Sequence, residues 1–334
     1  IQYVNVDGSM AFVADGLALT SGKKYQNGGL VRPDGNGGAL VVWSNASTGS
    51  IGVTGQHVGV DGSQAWEVDG SEFFFGIDGD ASKFQTLTWD DNDALIFWED
   101  NRWAGTGSVS MAQVMDQTGA IQYAMDGEVL SGNEQQLSPI IVPDNEGGAY
   151  ITYTNISTGT EILFAQHVGD DLAPTWASDG IQVNPNAILG QFKPQMVTSA
   201  DAYLYYFWTE DIFFQGLLLH AQKYDINGVA QWAAGGLQIG PPEIGGDKYV
   251  TSAIAMADST VIYVWESETV DGTKTYVSKL SPAGSNIWTE AVTEAAGTQR
   301  SSVAAYNPES DLLIIAWEDL RNVSESSVDL YAVS

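Results

Sequence analysis

The stretch QHVGVDGSQAWEVDG, Gln56–Gly70, decides how this chain is read, because its punctuating residues return along the sequence at fixed offsets. Gln56 recurs as Gln2, Gln113, Gln166 and Gln222, with Ser278 in the remaining copy. Further on, Gly62 recurs as Gly8, Gly119, Gly228 and Gly284, with Leu172 as the exception. Trp66 is matched by Phe12, Tyr123, Trp176, Trp232 and Trp288. Gly70 is matched by Gly16, Gly127, Gly180 and Gly236, and Val292 breaks that column. A glycine at a fixed distance between two apolar stretches marks a tight hairpin turn that needs a backbone conformation side chains disfavour.

Upstream of each hairpin lies an apolar run ending in an aromatic residue, at Trp43, Trp98, Tyr153, Trp208, Trp265 and Trp317, in steps of 55, 55, 55, 57 and 52. Runs such as Ala39–Trp43 and Ala94–Trp98 are apolar without alternation, which means a strand covered on both faces. No stretch of useful length carries a helical period. Six copies of about four short strands predict an all-β fold, a six-bladed β-propeller with four antiparallel strands per blade. The blades are expected at 28–83, 84–136, 137–191, 192–249 and 250–299, with a last blade of 300–334 plus 1–27, all in one domain. That last blade is expected to be closed by the N- and C-terminal strands, since the head-to-tail step from Trp288 to Phe12 is 58 residues, close to the others. Nine of the eleven Trp fall in the two aromatic columns and are therefore read as core rather than as binding platforms.

Charge removes several classes of partner. Lys and Arg number 12 against 42 Asp and Glu, a formal charge of -30 that repels nucleic acid backbones and anionic membranes. No run approaches the roughly 18 apolar residues a membrane span needs, so no membrane insertion is expected. With no cysteine, neither disulfides nor thiolate chemistry can operate. A chain that begins at Ile1 fits a processed, exported protein.

The turn-and-strand PDGNGGALVVW at Pro33–Trp43, the WEDNR and WEDLR motifs at Trp98–Arg102 and Trp317–Arg321, the AQ pairs and DGSQAWEVDG together resemble the propeller repeats of large exported proteins of Bacteroidota. The resemblance covers essentially the whole chain. It implies a secreted or cell-surface location, type IX secretion, and membership of a longer multidomain chain or secretion complex.

Candidates for chemistry are few. His57 and His167 each follow the repeated Gln and read as equivalent structural positions; no Ser/His/Asp or HExxH spacing occurs. Arg102 and Arg321 share a column, each beside its own preceding acids. The turns rich in Asp and Asn offer oxygen ligands for Ca2+, with Asp90, Asp91 and Asp93 the candidate metal site, although such turns also form for backbone reasons alone. Trp103, Phe213, Phe214 and Phe74 are the candidate ligand-binding aromatics, expected on one rim to stack on a glycan or anchor a cell-surface protein. Sequons at Asn45, Asn155 and Asn322 are read as turn chemistry. Repetition without an asymmetric catalytic constellation points to a non-enzymatic binding, adhesion or assembly module. The alternative is a carbohydrate-active enzyme, a glycoside hydrolase or lyase, with acids at the mouth of the central channel.

Overall fold

The computed structural model describes residues 1–22, 25–47, 50–74, 81–89, 93–101, 107–125, 127–130, 136–156, 158–322 and 328–333. Among them every element is a strand and no helix occurs. The first sheet joins β1 (Tyr25–Pro33), β2 (Ala39–Ser47), β3 (Ser50–Val58) and β4 (Ser71–Phe74) in sequence order. The second does the same with β5 (Ala81–Thr88), β6 (Ala94–Asp100), β7 (Val109–Met115) and β8 (Glu128–Val129). The third holds β9 (Gln136–Pro143), β10 (Ala149–Asn155), β11 (Ile162–Val168) and β12 (Ile181–Gln182). The fourth is β13 (Gln191–Thr198), β14 (Leu204–Ile212), β15 (Gly216–Tyr224) and β16 (Leu237–Gln238). The fifth is β17 (Asp247–Ala255), β18 (Val261–Thr269), β19 (Gly272–Leu280) and β20 (Asn286–Ala291). The sixth has three strands, β21 (Gln299–Asn307), β22 (Leu312–Asp319) and β23 (Asp329–Val333). The all-β reading and the six copies thus appear as six separate sheets. Residues 1–22 contribute one isolated bridge, Val4 to Met10, which matches the bridges Val58–Gln64, Met115–Ile121 and Tyr224–Ala230 after the third strands of other copies.

The chain divides into two compact units, residues 1–141 with 168–174, and 142–167 with 175–334. In the first unit, Leu40, Val42, Val53 and Phe73 of the first sheet pack with Ala94, Ile96, Trp98 and Met111 of the second. The other face of the first sheet, at Val41 and Trp43, is covered by Ile1, Phe12, Leu17 and Leu19. In the second unit, Tyr205, Phe207 and Leu219 of the fourth sheet meet Val250, Val261 and Tyr263 of the fifth. The second strands explain this burial. β6 and β10 are buried at every position, with apolar residues on both faces and polar Asp100 and Thr152 buried beside them.

The repeated glutamine is a backbone clamp. Gln56 accepts the N–H of Trp66 at 2.9 Å and of its neighbour His57 at 3.0 Å, while its amide donates to the Glu67 carbonyl at 3.0 Å. Gln2, Gln113, Gln166 and Gln222 make the same three bonds around Phe12, Tyr123, Trp176 and Trp232. One side chain thereby satisfies polar groups a short fourth strand would leave unpaired. The aromatic held this way reaches onward. Trp66 donates its indole N–H to the Gln117 carbonyl, Trp176 to Ile226 and Trp232 to Pro282, each in the turn of the following copy.

First strands carry a second repeated device, a bulge between Asn27 and Leu30, Ser82 and Gln85, Phe192 and Gln195, and Arg300 and Val303. Gly28, Lys83, Lys193 and Ser301 there adopt left-handed backbone, three of them without the freedom of glycine. Next to such bulges the freed amides find carboxylates: Ser138 N–H donates to Glu99, and Ser302 N–H to Glu266. The acid after the second-strand Trp is in these copies a tie between adjacent sheets.

Candidate functional site

The inner aromatic column sets the standard against which a site can be recognised. Trp98, Trp208 and Trp317 each donate their indole N–H to an acid two residues on, Asp100, Glu210 and Asp319, at 2.9, 2.8 and 3.0 Å. Trp265 finds Ser278 at 2.9 Å, which is why the glutamine column breaks there. A ring on the neighbouring strand also stacks on most of these aromatics: Phe164 on Tyr153, His220 on Trp208, Tyr276 on Trp265 and Tyr331 on Trp317, with interplanar angles of 4°, 22°, 19° and 20°. In the second sheet flexible Met111 faces Trp98 instead.

The first sheet departs from this standard at every point. The cross-strand partner of Trp43 is Thr54, with no ring. The residue two beyond Trp43 is Asn45, with no charge; its amide donates to Thr54 Oγ1 at 3.2 Å. Trp43 Nε1, Asn45 Oδ1 and Ser71 Oγ are all buried without a hydrogen-bond partner. Orphaned groups of this kind are costly and rare in folded proteins, so three around one position call for a reason.

Asn45 and Ser71 line a cleft of about 730 Å3 in the first unit, within the range typical of small-molecule sites. Asn45, Thr54 and Ser71 line its floor. Glu67, Asp69 and Glu72 supply carboxylates, while Gly119, Ile121 and Met125 form the opposite wall. Local structure holds each wall. The Gln56 clamp fixes the Glu67 backbone and leaves its side chain exposed. Asp69, in left-handed conformation, accepts the Ser21 N–H at 2.5 Å and its hydroxyl at 3.0 Å, and Gln26 is tied to Thr20 at 2.8 Å. Gly119 must be glycine, since a Cβ would stand 2.8 Å from Ser71 Oγ and 2.9 Å from the Trp66 ring. Among the described residues no lysine or arginine lines the cleft.

Several carboxylates outside the cleft are engaged in hydrogen bonds. Glu210 is buried and accepts Asn184, Gln191 and Trp208 together. Arg321 grips Asp319 with two donors, which hold that carboxyl well below the usual carboxylate range despite burial, with Trp317 adding a third. His57 and His167 bond Asp34 and Asp144, each at 2.8 Å, in matching places. The other oxygen of each Asp accepts two turn amides, the backbone role that competes with metal binding. For Asp34, burial raises the carboxyl pKa, but the His57 bond and the two amides outweigh it and leave it lowered.

Among the sequence candidates, Phe213 and Phe214 are exposed, edge to face at 4.1 Å, at the β14–β15 turn. Phe74 is corrected: it is buried and stacks on Trp98 at 5.6 Å, because β4 turns it into the core of the first unit, and it stands on no rim. Trp103, Asp90 and Asp91 lie outside the described residues. Asp93 uses its carbonyl to accept the Trp89 N–H at 2.8 Å. No group of three metal-ligating side chains occurs among the described residues. Asn45 and Asn155 are buried within or at the end of strands, in keeping with a structural origin of those sequons. Sequence reading passed over Thr54, Ser71, Glu67 and Glu72. The available signal was the break in the acid column at Asn45 and in the ring position at Thr54.

No family model matches the chain, and no curated protein matches it in sequence. Solved structures do. A Dyadobacter fermentans protein of unknown function is 7% identical over 77% of this chain and 84% of its own, with a TM-score of 0.50, a likeness of fold. An endo-arabinase from Bacteroides thetaiotaomicron is 12% identical, covers 95% and 97%, and has a TM-score of 0.38; the polysaccharide lyase Uly1 is 9% identical, covers 95% and 90%, and has a TM-score of 0.48. Bacteroidota are represented among these, in keeping with the sequence resemblance. The expectation of a non-enzymatic binding or adhesion module is corrected by the same finding, since these two structures of stated activity are carbohydrate-active enzymes, the alternative class.

Proposed function

We propose that the chain is a carbohydrate-active enzyme that cleaves a glycosidic linkage in the cleft of the first unit, with Glu67 and Glu72 as its acids. The observation that carries this is the cleft itself, where carboxylates share one space with the hydroxyl and amide groups of Thr54, Ser71, Gln26 and Asn45. Glycoside hydrolysis needs two carboxyl groups, one to protonate the departing oxygen and one to act as nucleophile or to activate water. Asp69 is the weaker candidate because Ser21 already occupies both its oxygens. The same proposal takes the six sheets as blades of one propeller, on the strength of the six sequence copies. It also keeps the secreted or cell-surface location implied by the resemblance, where polymeric glycans are met; fractionation of the native cells tests that.

The deciding experiment is a reducing-end assay against a panel of polysaccharides and oligosaccharides, with Glu67→Gln and Glu72→Gln as controls. Turnover reduced ~100-fold or more by each substitution, with the melting temperature unchanged, supports the reading. Turnover that survives both, or none on any glycan, removes it.

A further inference from the structure

We infer that the break in the repeat around Asn45 and Ser71 is a binding subsite for a neutral, polyhydroxylated ligand, a sugar without carboxylate, sulfate or phosphate. This rests on the proposed cleft but concerns recognition rather than cleavage.

The argument begins with what the fold requires at this position. Three other sheets close the indole N–H onto a carboxylate, and four cover the inner aromatic with a ring from the next strand. The fold therefore has a well-packed solution available. The first sheet carries Asn45 and Thr54 in those two places, and the result is open volume beside buried polar atoms that bond nothing in the protein. Asn45 is 9% exposed and Ser71 5%, so bulk water does not solvate them freely. Stability alone disfavours both choices. Asn45 Oδ1 and Ser71 Oγ are closed to solvent in this structure, so a ligand that enters the cleft with its own hydroxyl groups resolves the deficit once a side-chain rotation turns these atoms toward it. Asn45 Oδ1 accepts a hydrogen bond, and Ser71 Oγ can both donate and accept. Sugar hydroxyls have this dual character, and a site built to pair with them rejects analogues that lack them.

Charge selects among sugars. Glu67, Asp69 and Glu72 border the cleft, no cation does among the described residues, and the whole chain stands at -30. An anionic sugar would meet repulsion from these three carboxylates, whereas a neutral one meets acceptors for its hydroxyl protons.

The test restores the pattern of the other sheets. Calorimetric titrations with neutral hexose and pentose oligosaccharides, and with oligogalacturonate as the charged control, are run on the full chain and three variants. Ser71→Ala removes a hydroxyl that bonds nothing in the protein, so the melting temperature should hold or rise while affinity for the neutral sugar falls ~10-fold or more. Asn45→Asp supplies the acceptor found at Asp100 and Asp319, so it too should hold or raise the melting temperature and weaken binding. Thr54→Tyr restores the ring found at Tyr276 and Tyr331 and should abolish binding by filling the cleft. Retained affinity in both Ser71→Ala and Asn45→Asp overturns the inference, as does oligogalacturonate binding as well as the neutral sugars, or a wild-type chain that binds none of them at millimolar concentration. Sugar binding that these variants abolish, in a chain that turns over no glycan, leaves this inference standing and removes the enzymatic one.

Discussion

The first and fourth sheets solve the same packing problem with opposite results. In the fourth, Trp208 is wholly buried, donates to Glu210, carries His220 stacked at 5.5 Å and meets Tyr206 edge-on at 5.9 Å. Every polar atom of Glu210 that the neighbours can reach is used. In the first, Trp43 keeps its apolar contacts with Val41, Val58 and Leu17 but has neither acid nor ring. The lesson is that a repeat marks where stability is stored, and a departure from it marks where stability has been exchanged for accessible volume and free polar groups.

The largest expected difference follows from removing the two rings. Trp208→Ala should cost ~4–5 kcal/mol, through the cavity and through the loss of a donor to buried Glu210. Trp43→Ala should cost ~1–2 kcal/mol less, because neither a hydrogen bond of the indole nor a cross-strand ring is lost. Chemical denaturation followed by far-UV circular dichroism measures both. Equal losses would mean that the two sheets are equivalent after all.

The glycines behind these rings sharpen the contrast. Gly236 and Gly70 both have left-handed backbone, and a Cβ would lie 2.5 Å from the Trp208 ring and 2.9 Å from the Trp43 ring. Each Gly→Ala should be destabilising, by ~1 kcal/mol from the backbone and more from the clash. Gly236→Ala should be worse by about 1 kcal/mol, since Trp208 is held by Glu210 and the stacked His220 ring while Trp43 has neither kind of partner. A smaller effect at Gly236 than at Gly70 would contradict the packing described here.

These positions also show why some of the molecule is legible in its sequence and some is not. The Gln, Gly and aromatic columns can be read because each encodes a local demand. Gln56 must reach the Trp66 and Glu67 backbone across one hairpin, and Gly62 must turn it. Local demands fix spacing, and fixed spacing survives repetition. The cleft obeys no such rule. Its walls come from Ser21, Asn45, Ser71 and Gly119, brought together by sheet pairing and the packing of two sheets, so no spacing announces it. Phe74 misleads for a related reason: an aromatic run after a glycine turn reads as an exposed loop until β4 pairs with β3 and directs it inward. The Asp-rich turns read equally as ligand sets or as backbone caps, and only geometry shows Asp34 and Asp144 in the second role.

The subtlest expected difference is one of pH. His220 has its pKa lowered, chiefly by desolvation against Trp208 and its surroundings, with the nearby Glu210 charge opposing. The folded chain therefore holds His220 neutral, while the unfolded chain takes up a proton below the ordinary value of 6.5. Stability from this group is complete above that pH and is lost as pH falls from there through the lower folded value. His220→Phe, which places at this position the ring found at Phe164, keeps the stack and removes the titration. Its melting temperature should match the wild type near neutrality and exceed it by a few degrees near pH 5. Thr54 carries no titrating group, so Thr54→Phe should shift stability by the same amount at both pH values. A wild-type profile unaltered by His220→Phe would show that the ring on Trp208 is solvated enough to protonate freely.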